Sequence, residues 1–98
     1  MKPGVAALCM TKEDFRAQNV PGSFFVCDPD SDGEQSFWYR CPCGCGHQGP
    51  LTVGDGFKPR GGPSWKWNGS LDKPSLEPSV NHVGHWHGWL RNGEWISC

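Results

Sequence analysis

The stretch that decides the fold reads "SFWYRCPCGCGHQG" (residues 36–49), where Cys41, Cys43 and Cys45 occupy alternate positions. Half of the six cysteines in this 98-residue chain therefore lie within five positions. The glycines between and after them let the backbone turn sharply, so that the three thiols can converge on one point. A disulfide, a metal site and a redox centre are the chemistries that such a cluster admits.

The composition predicts one domain with a weak apolar core. Leu, Ile, Val and Phe make up 17 of the 98 residues, while Gly and Pro contribute 23. Six tryptophans and a net charge of only −1 argue against disorder, because the large indole surfaces need a packed environment. A domain of this size with so few aliphatic residues often needs a disulfide or a metal to stabilise it.

Charge and hydropathy limit the partners and the location. Nine basic residues are scattered among ten acidic ones, so there is no basic footprint for nucleic acid. No stretch approaches the ~20 apolar residues of a membrane span, and the apolar run near the N-terminus is shorter than the ~7–15 residues of a signal peptide core. We therefore expect a cytoplasmic protein, in which metal ligation is favoured over structural disulfides.

One short helix and several strands are expected around the cysteine cluster. The segment "TKEDFRAQN" (11–19) has a helix start signal, because Thr11 followed by Asp14 is a variant of the capping box. Apolar and aromatic patterning predicts strands at 23–28, 35–41 and 51–54, residues 65–69 alternate Trp65 and Trp67 on one face, and prolines make 71–81 an edge strand or an extended segment.

The C-terminal segment predicts a β-hairpin. Asn92-Gly93 between two aromatic runs is the strongest short hairpin signal. A two-residue turn pairs Arg91 with Glu94, Leu90 with Trp95, Trp89 with Ile96, Gly88 with Ser97, and His87 with Cys98. Alternation then places on one face His85, His87, Trp89, Ile96 and Cys98.

Metal ligation is the favoured interpretation of the cluster, with free or oxidised thiols as the alternative. Structural zinc takes four Cys or His ligands, and its binding contributes ~10–16 kcal/mol to folding, against ~2–4 for a disulfide. We expect up to three ligands from the cluster and the fourth from the hairpin. His87 is the first candidate for the fourth ligand, and His85 and Cys98 are the alternates. The remaining candidates are interpreted as non-ligands: His47 as a loop residue, and Cys9 and Cys27 as buried thiols.

These observations predict a mostly β, small α+β fold. We expect a single zinc-stapled antiparallel β domain over residues 1–98, with one short N-terminal helix. Three thiolates would reduce the Lewis acidity that a catalytic zinc needs, so the ion is expected to be structural.

The repeated "PS" context in "KPSLEPSVN" (73–81) raises the question of catalysis by Ser75 or Ser79. A serine nucleophile needs a base within hydrogen-bond reach, and His82 or His85 is available. No G-x-S-x-G elbow is present, and serine after proline commonly forms turns. Both interpretations stay open at this point.

The order of the motifs "CPCGCG", "WKW", "PSLEPSV" and "HWHGWLRNGEW" resembles that of a small bacterial and phage domain family. This BubE-like family was formerly of unknown function, and some members were mislabelled ammonia monooxygenase. Relatives lie beside bacterial ubiquitin-like conjugation genes and are proposed peptidases. The resemblance covers roughly residues 37–98.

The resemblance implies zinc on the clustered cysteines together with the C-terminal segment, and marks Ser79 and His87 as the positions to watch for activity. Gly84 stands where the family pattern has a cysteine, which makes His85 or Cys98 the substitute ligand. The resemblance also implies a phage or prophage accessory protein, which would lie in the host cytoplasm if a phage encodes it.

Two functions follow as hypotheses. The first is an accessory module that binds a protein partner through exposed aromatic residues, namely Trp65, Trp67 and Trp89. The second is a peptidase-like hydrolase that acts on a protein tail with Ser79 and a histidine. Geometry separates them, because the hydrolase needs Ser79 Oγ within hydrogen-bond reach of an imidazole.

Overall fold

Two β-sheets and one short helix make up the described part of the chain, residues 4–82 and 84–97 of this computed structural model. The mostly β fold class expected from the sequence is confirmed. In chain order the elements are β1 (Val5–Ala6), α1 (Lys12–Ala17), β2 (Phe24–Val26), β3 (Glu34–Arg40), β4 (Gln48–Asp55), β5 (Trp65–Trp67), β6 (Leu76–Glu77), β7 (Val80–His82), β8 (Trp86–Arg91) and β9 (Glu94–Ser97).

The strands divide into a four-stranded sheet in the order β1-β9-β8-β7 and a five-stranded sheet in the order β2-β3-β4-β5-β6. The long hairpin of β3 and β4 forms the centre of the second sheet, and its open end carries the cysteine loop. The pairing is antiparallel except between β4 and β5, which run parallel. The expected antiparallel arrangement thus holds for the other paired strands of the two sheets.

Helix α1 begins where the sequence predicts it. Thr11 Oγ1 accepts a hydrogen bond from the Asp14 amide at 3.1 Å, which satisfies one of the unpaired N–H groups of the first turn. Phe15 is the buried residue of the helix, and its ring packs edge-on against Phe25 of β2 at 4.9 Å. This aromatic contact helps to attach the helix to the five-stranded sheet.

The C-terminal hairpin of β8 and β9 has the predicted register, with Leu90 opposite Trp95 and Trp89 opposite Ile96. Asn92 and Gly93 have φ of 47° and 81°, as a type I′ turn requires. The turn is tied to the segment before β6, because the Asn92 amide donates to Ser75 Oγ at 2.9 Å and the Gly93 amide donates to the Pro74 carbonyl at 2.9 Å.

One buried cluster draws residues from both sheets, with Phe24, Phe37, Val53 and Trp67 from one and Val80, Leu90 and Trp95 from the other. Trp95 contributes most to the junction. Its ring packs 5.3 Å from Tyr39 of β3, and its indole N–H donates to the Gly22 carbonyl at 2.9 Å. A buried indole is stable only with such a partner for its N–H group.

Three features differ from the expectations. Strand β4 is longer than the predicted 51–54, because it pairs along the whole of β3. Residues 71–81 contain two short strands, β6 and β7, that belong to different sheets. Trp67 is only 4% exposed, so its expected role in contacting a partner is wrong. Within residues 4–82 and 84–97, no helix has the length and apolar character to cross a membrane.

We expect Gly93→Val to destabilise the protein by at least about 1 kcal/mol, because a β-branched residue resists positive φ. An added Cβ would also lie 3.3 Å from the Lys73 backbone. Urea unfolding measures the loss.

Gly49→Ala in β4 is the matched control, since a Cβ there meets no atom within 4 Å. Its free energy of unfolding should change by less than about 0.5 kcal/mol. Equal losses in the two variants would contradict the role given to the turn.

Candidate metal centre and serine–histidine pair

The cysteine loop connects β3 to β4 and is closed by backbone hydrogen bonds. The Cys41 amide donates to the His47 carbonyl at 2.8 Å, and the Gly44 amide donates to the Cys41 carbonyl at 3.2 Å. Gly44 and Gly46 have φ of 88° and 85°, a region that other residues rarely adopt. These two glycines turn the chain so that alternate cysteines face the same point.

The three Sγ atoms of Cys41, Cys43 and Cys45 lie within 4.8 Å of one another. Cys41 is fully buried, whereas the other two are exposed. A second group shares Cys45 and adds the ring nitrogens of His47 and His85, again within 4.8 Å. The two imidazoles meet edge to face at a centroid distance of 4.5 Å. The two groups together contain five potential ligands, and Cys45 belongs to both.

The distances suit a tetrahedral thiolate–imidazole site. With metal–sulfur bonds of about 2.3 Å and metal–nitrogen bonds of about 2.0 Å, such a site places sulfur and nitrogen about 3.5 Å apart and two sulfurs about 3.8 Å apart. Cys45 Sγ and His47 Nδ1 are 3.6 Å apart, while Cys41 Sγ and Cys43 Sγ are 3.1 Å apart. The cysteine group and the histidine group share only Cys45, so four ligands would have to draw together around an ion.

The thiols differ in acidity. Burial raises the pKa of Cys41 to about 12, and its hydrogen bond to Cys43 adds to the rise. The same hydrogen bond lowers the pKa of Cys43, because the Cys41 S–H stabilises the neighbouring thiolate. Burial, followed by the nearby charges of Cys41 and Cys45, raises the pKa of Tyr39 to about 12. A metal must therefore displace the proton of Cys41, so binding should release protons.

Arg40 of β3 holds the cysteine loop by a hydrogen bond that the sequence did not predict. The guanidinium is 7% exposed and donates to the Gly46 carbonyl at 3.0 Å and to the Phe15 carbonyl at 2.7 Å. Its carbon also lies 4.8 Å from the centre of the Phe15 ring. Arg40 precedes Cys41 directly, so a buried positive charge lies next to a site where up to three thiolates would collect.

Ser79 and His87 form the second cluster. Ser79 lies just before β7 and His87 lies in β8, the adjacent strand, and Ser79 Oγ is 3.2 Å from His87 Nε2. The Trp65 indole N–H, from the other sheet, donates to the Ser79 carbonyl at 3.1 Å. The nucleophile candidate is thus fixed by both sheets. The sequence predicts Trp65 only as an exposed aromatic residue, because nothing local in it indicates this long-range bond.

The structure distributes the predicted site residues differently from the expected order. His87, the first choice for the fourth ligand, contacts Ser79, and His85 is the hairpin residue that meets the cysteine cluster. His47, interpreted as a non-ligand, also joins it. Cys98, the other alternate ligand, lies outside the described residues. Cys9 and Cys27 are exposed, so the expectation of buried thiols is wrong.

The fold and the two clusters define a small two-sheet β protein with a cysteine cluster that could hold a metal ion and a serine–histidine pair. A family model described as "Bacterial ubiquitination-like system serine protease (BubE)" matches residues 11–98. The chain belongs to this BubE family. No curated protein and no solved structure gives a significant match.

We expect His85→Ala to weaken metal binding by at least about tenfold, because the variant removes the ligand that connects the hairpin to the cysteine loop. His87→Ala is the matched control from the same segment and should leave metal affinity nearly unchanged. Competition with a chromogenic chelator measures both affinities. A larger loss in the His87 variant would restore the ligand order expected from the sequence.

Proposed function

We propose that the protein is a serine protease whose nucleophile is Ser79 and whose general base is His87, with a structural zinc ion at the cysteine cluster. The single observation that carries the proposal is the 3.2 Å distance between Ser79 Oγ and His87 Nε2. This distance is within the reach that general-base catalysis requires. The family description supports the same chemistry.

The reaction follows from this geometry. With its ring proton on Nδ1, His87 takes the hydroxyl proton of Ser79 at Nε2 while Oγ bonds to the carbonyl carbon of a peptide. The imidazolium then gives that proton to the leaving amine as the carbon–nitrogen bond breaks. Water attacks the acyl-serine, His87 takes its proton, and the proton returns to Oγ as the acid product leaves.

Trp65 acts as a positioning residue for this step. Its indole N–H holds the Ser79 carbonyl, which limits rotation of the backbone that carries Oγ. A nucleophile held in a near-attack position reacts faster because the entropy of orientation is lost before the reaction begins.

The metal has a structural role in this proposal. Cys41, Cys43, Cys45 and His85 would hold zinc, with His47 beside them as an alternate ligand. Zinc fits because thiolate and imidazole are its preferred structural ligands. When bound, zinc would connect the cysteine loop to the β7–β8 turn. This connection would hold the strand on which His87 lies.

The second candidate function is the accessory module that binds a protein partner. It is favoured by the half-buried Trp89, whose ring lies 5.1 Å from the Arg91 guanidinium carbon. Tryptophan and arginine are the residue types most enriched at binding hot spots. This function uses the same metal site and requires neither Ser79 nor His87 to react.

Zinc should be present at one ion per chain by elemental analysis of the purified protein. Removing it with a chelator should unfold the domain cooperatively, because the ligands come from segments distant in the chain and the site forms together with the fold. Circular dichroism during chelation follows the unfolding. A metal-free protein with an unchanged melting temperature would contradict a structural zinc ion.

Ser79→Ala should abolish covalent labelling by a fluorophosphonate, which reacts with activated serines. His87→Ala should slow labelling by at least about 10³-fold, since the hydroxyl loses its base. Intact-protein mass spectrometry gives the stoichiometry, and peptide mapping gives the position. Ser36→Ala, an exposed serine of β3, is the matched control and should be labelled like the wild type.

Labelling that does not depend on His87, or that occurs at another serine, would favour the accessory module. Circular dichroism of each variant checks that the fold is retained, so that a loss of labelling reports the missing group.

A further inference from the structure

A groove of about 810 Å³ opens directly beside Ser79. Its volume falls in the range of about 300–1,000 Å³ that is typical of ligand sites. Strand β6 and the following Pro78 and Ser79 form one wall, and the end of β8 with the Asn92 turn forms another. The apolar part of the lining comes from Leu76, Pro78, Trp89 and Leu90. Ser79 thus lies at the side of this groove.

The groove is positively charged. Lys58, Lys66 and Arg91 line it, against the single carboxylate of Glu77. This excess of positive charge stands out in a chain whose net charge is −1. Lys66 and Glu77 are opposite each other on β5 and β6, so this pair is locally balanced. The charge excess therefore resides on the other two cations.

These two cations are held in place. The Lys58 ammonium group donates to Ser64 Oγ at 3.1 Å, and that buried hydroxyl in turn donates to the Pro59 carbonyl at 2.6 Å. The Arg91 guanidinium stacks over the Trp89 ring. Cations with restricted motion lose less entropy when they bind a carboxylate, which favours a specific contact.

We propose that this groove is the substrate subsite of the Ser79–His87 protease and that it selects peptides with a carboxylate next to the cleaved bond. The proposal rests on the proposed function. Lys58 and Arg91 recognise the carboxylate, and the apolar lining receives the neighbouring side chains. The carboxylate comes from an acidic side chain or from a free C-terminus, since both present the same group to arginine and lysine.

The groove suits a peptide better than a nucleic acid. A nucleic-acid surface needs many cations along its length and is usually part of a strongly basic domain. Here two uncompensated cations flank an apolar lining, and the chain as a whole is slightly acidic. Ser79, which lines the groove, would also act on acyl groups, which peptides supply.

The test is direct binding to the Ser79→Ala protein, measured by fluorescence anisotropy with short labelled peptides. One peptide contains glutamates and an amidated C-terminus, its twin carries glutamine at those positions, and a third has the neutral sequence with a free C-terminus. Either the glutamate peptide or the neutral peptide with a free C-terminus should bind at least about tenfold more tightly than the neutral amidated peptide. Whichever of the two binds more tightly identifies the source of the carboxylate.

Arg91→Gln and Lys58→Gln should each reduce the selectivity for the charged peptide by about three- to tenfold. Lys12→Gln, which removes an exposed cation of α1 away from the groove, is the matched control and should have no effect. Affinity should also fall as salt rises.

Equal affinity for charged and neutral peptides, or no binding of any of them, would overturn the subsite. So would a single-stranded oligonucleotide that binds as tightly as the acidic peptide. If the wild type reacts with the fluorophosphonate at Ser79 but shows no acid preference, only the subsite is wrong. Acid-selective binding without a reactive Ser79 would overturn the protease and leave a carboxylate-binding groove.

Discussion

The two-residue turn at Asn92–Gly93 fixes the register of β8, and both chemical clusters depend on that register. His85 ends the turn before β8, and His87 lies two residues further along. A slip of one residue would send every side chain of the strand to the opposite face, because strand side chains alternate. His87 would then lose Ser79, and His85 would lose the cysteine loop. Local turn chemistry thus controls sites that lie far from the turn.

Ser79 gains its position from the junction of the two sheets. Its carbonyl accepts a hydrogen bond from Trp65 of the five-stranded sheet, and its hydroxyl contacts His87 of the four-stranded sheet. Neither sheet alone holds both groups of this serine. Packing between the sheets therefore contributes to the geometry of Ser79 and His87. Trp95 belongs to the buried core that the two sheets share, and its indole N–H donates to the Gly22 carbonyl.

Hydrogen bonds connect the cysteine loop to the core. The buried Arg40 side chain donates to the Gly46 carbonyl of the loop and to the Phe15 carbonyl of α1. The thiol of Cys41 keeps its proton at neutral pH when no metal is bound, because burial raises its pKa to about 12. Metal binding and folding of the loop are therefore expected to be coupled.

The sequence by itself determined the local features: the Thr11 cap, the hairpin register and the convergence of the three cysteines, since each depends on residues within a turn or a few positions. The resemblance singled out Ser79 and His87. Only the tertiary structure decided that His85, and not His87, meets the cysteines, and that Trp65 holds the serine. Those contacts join segments distant in the chain. Their partners are selected by how two sheets pack, which no local pattern encodes.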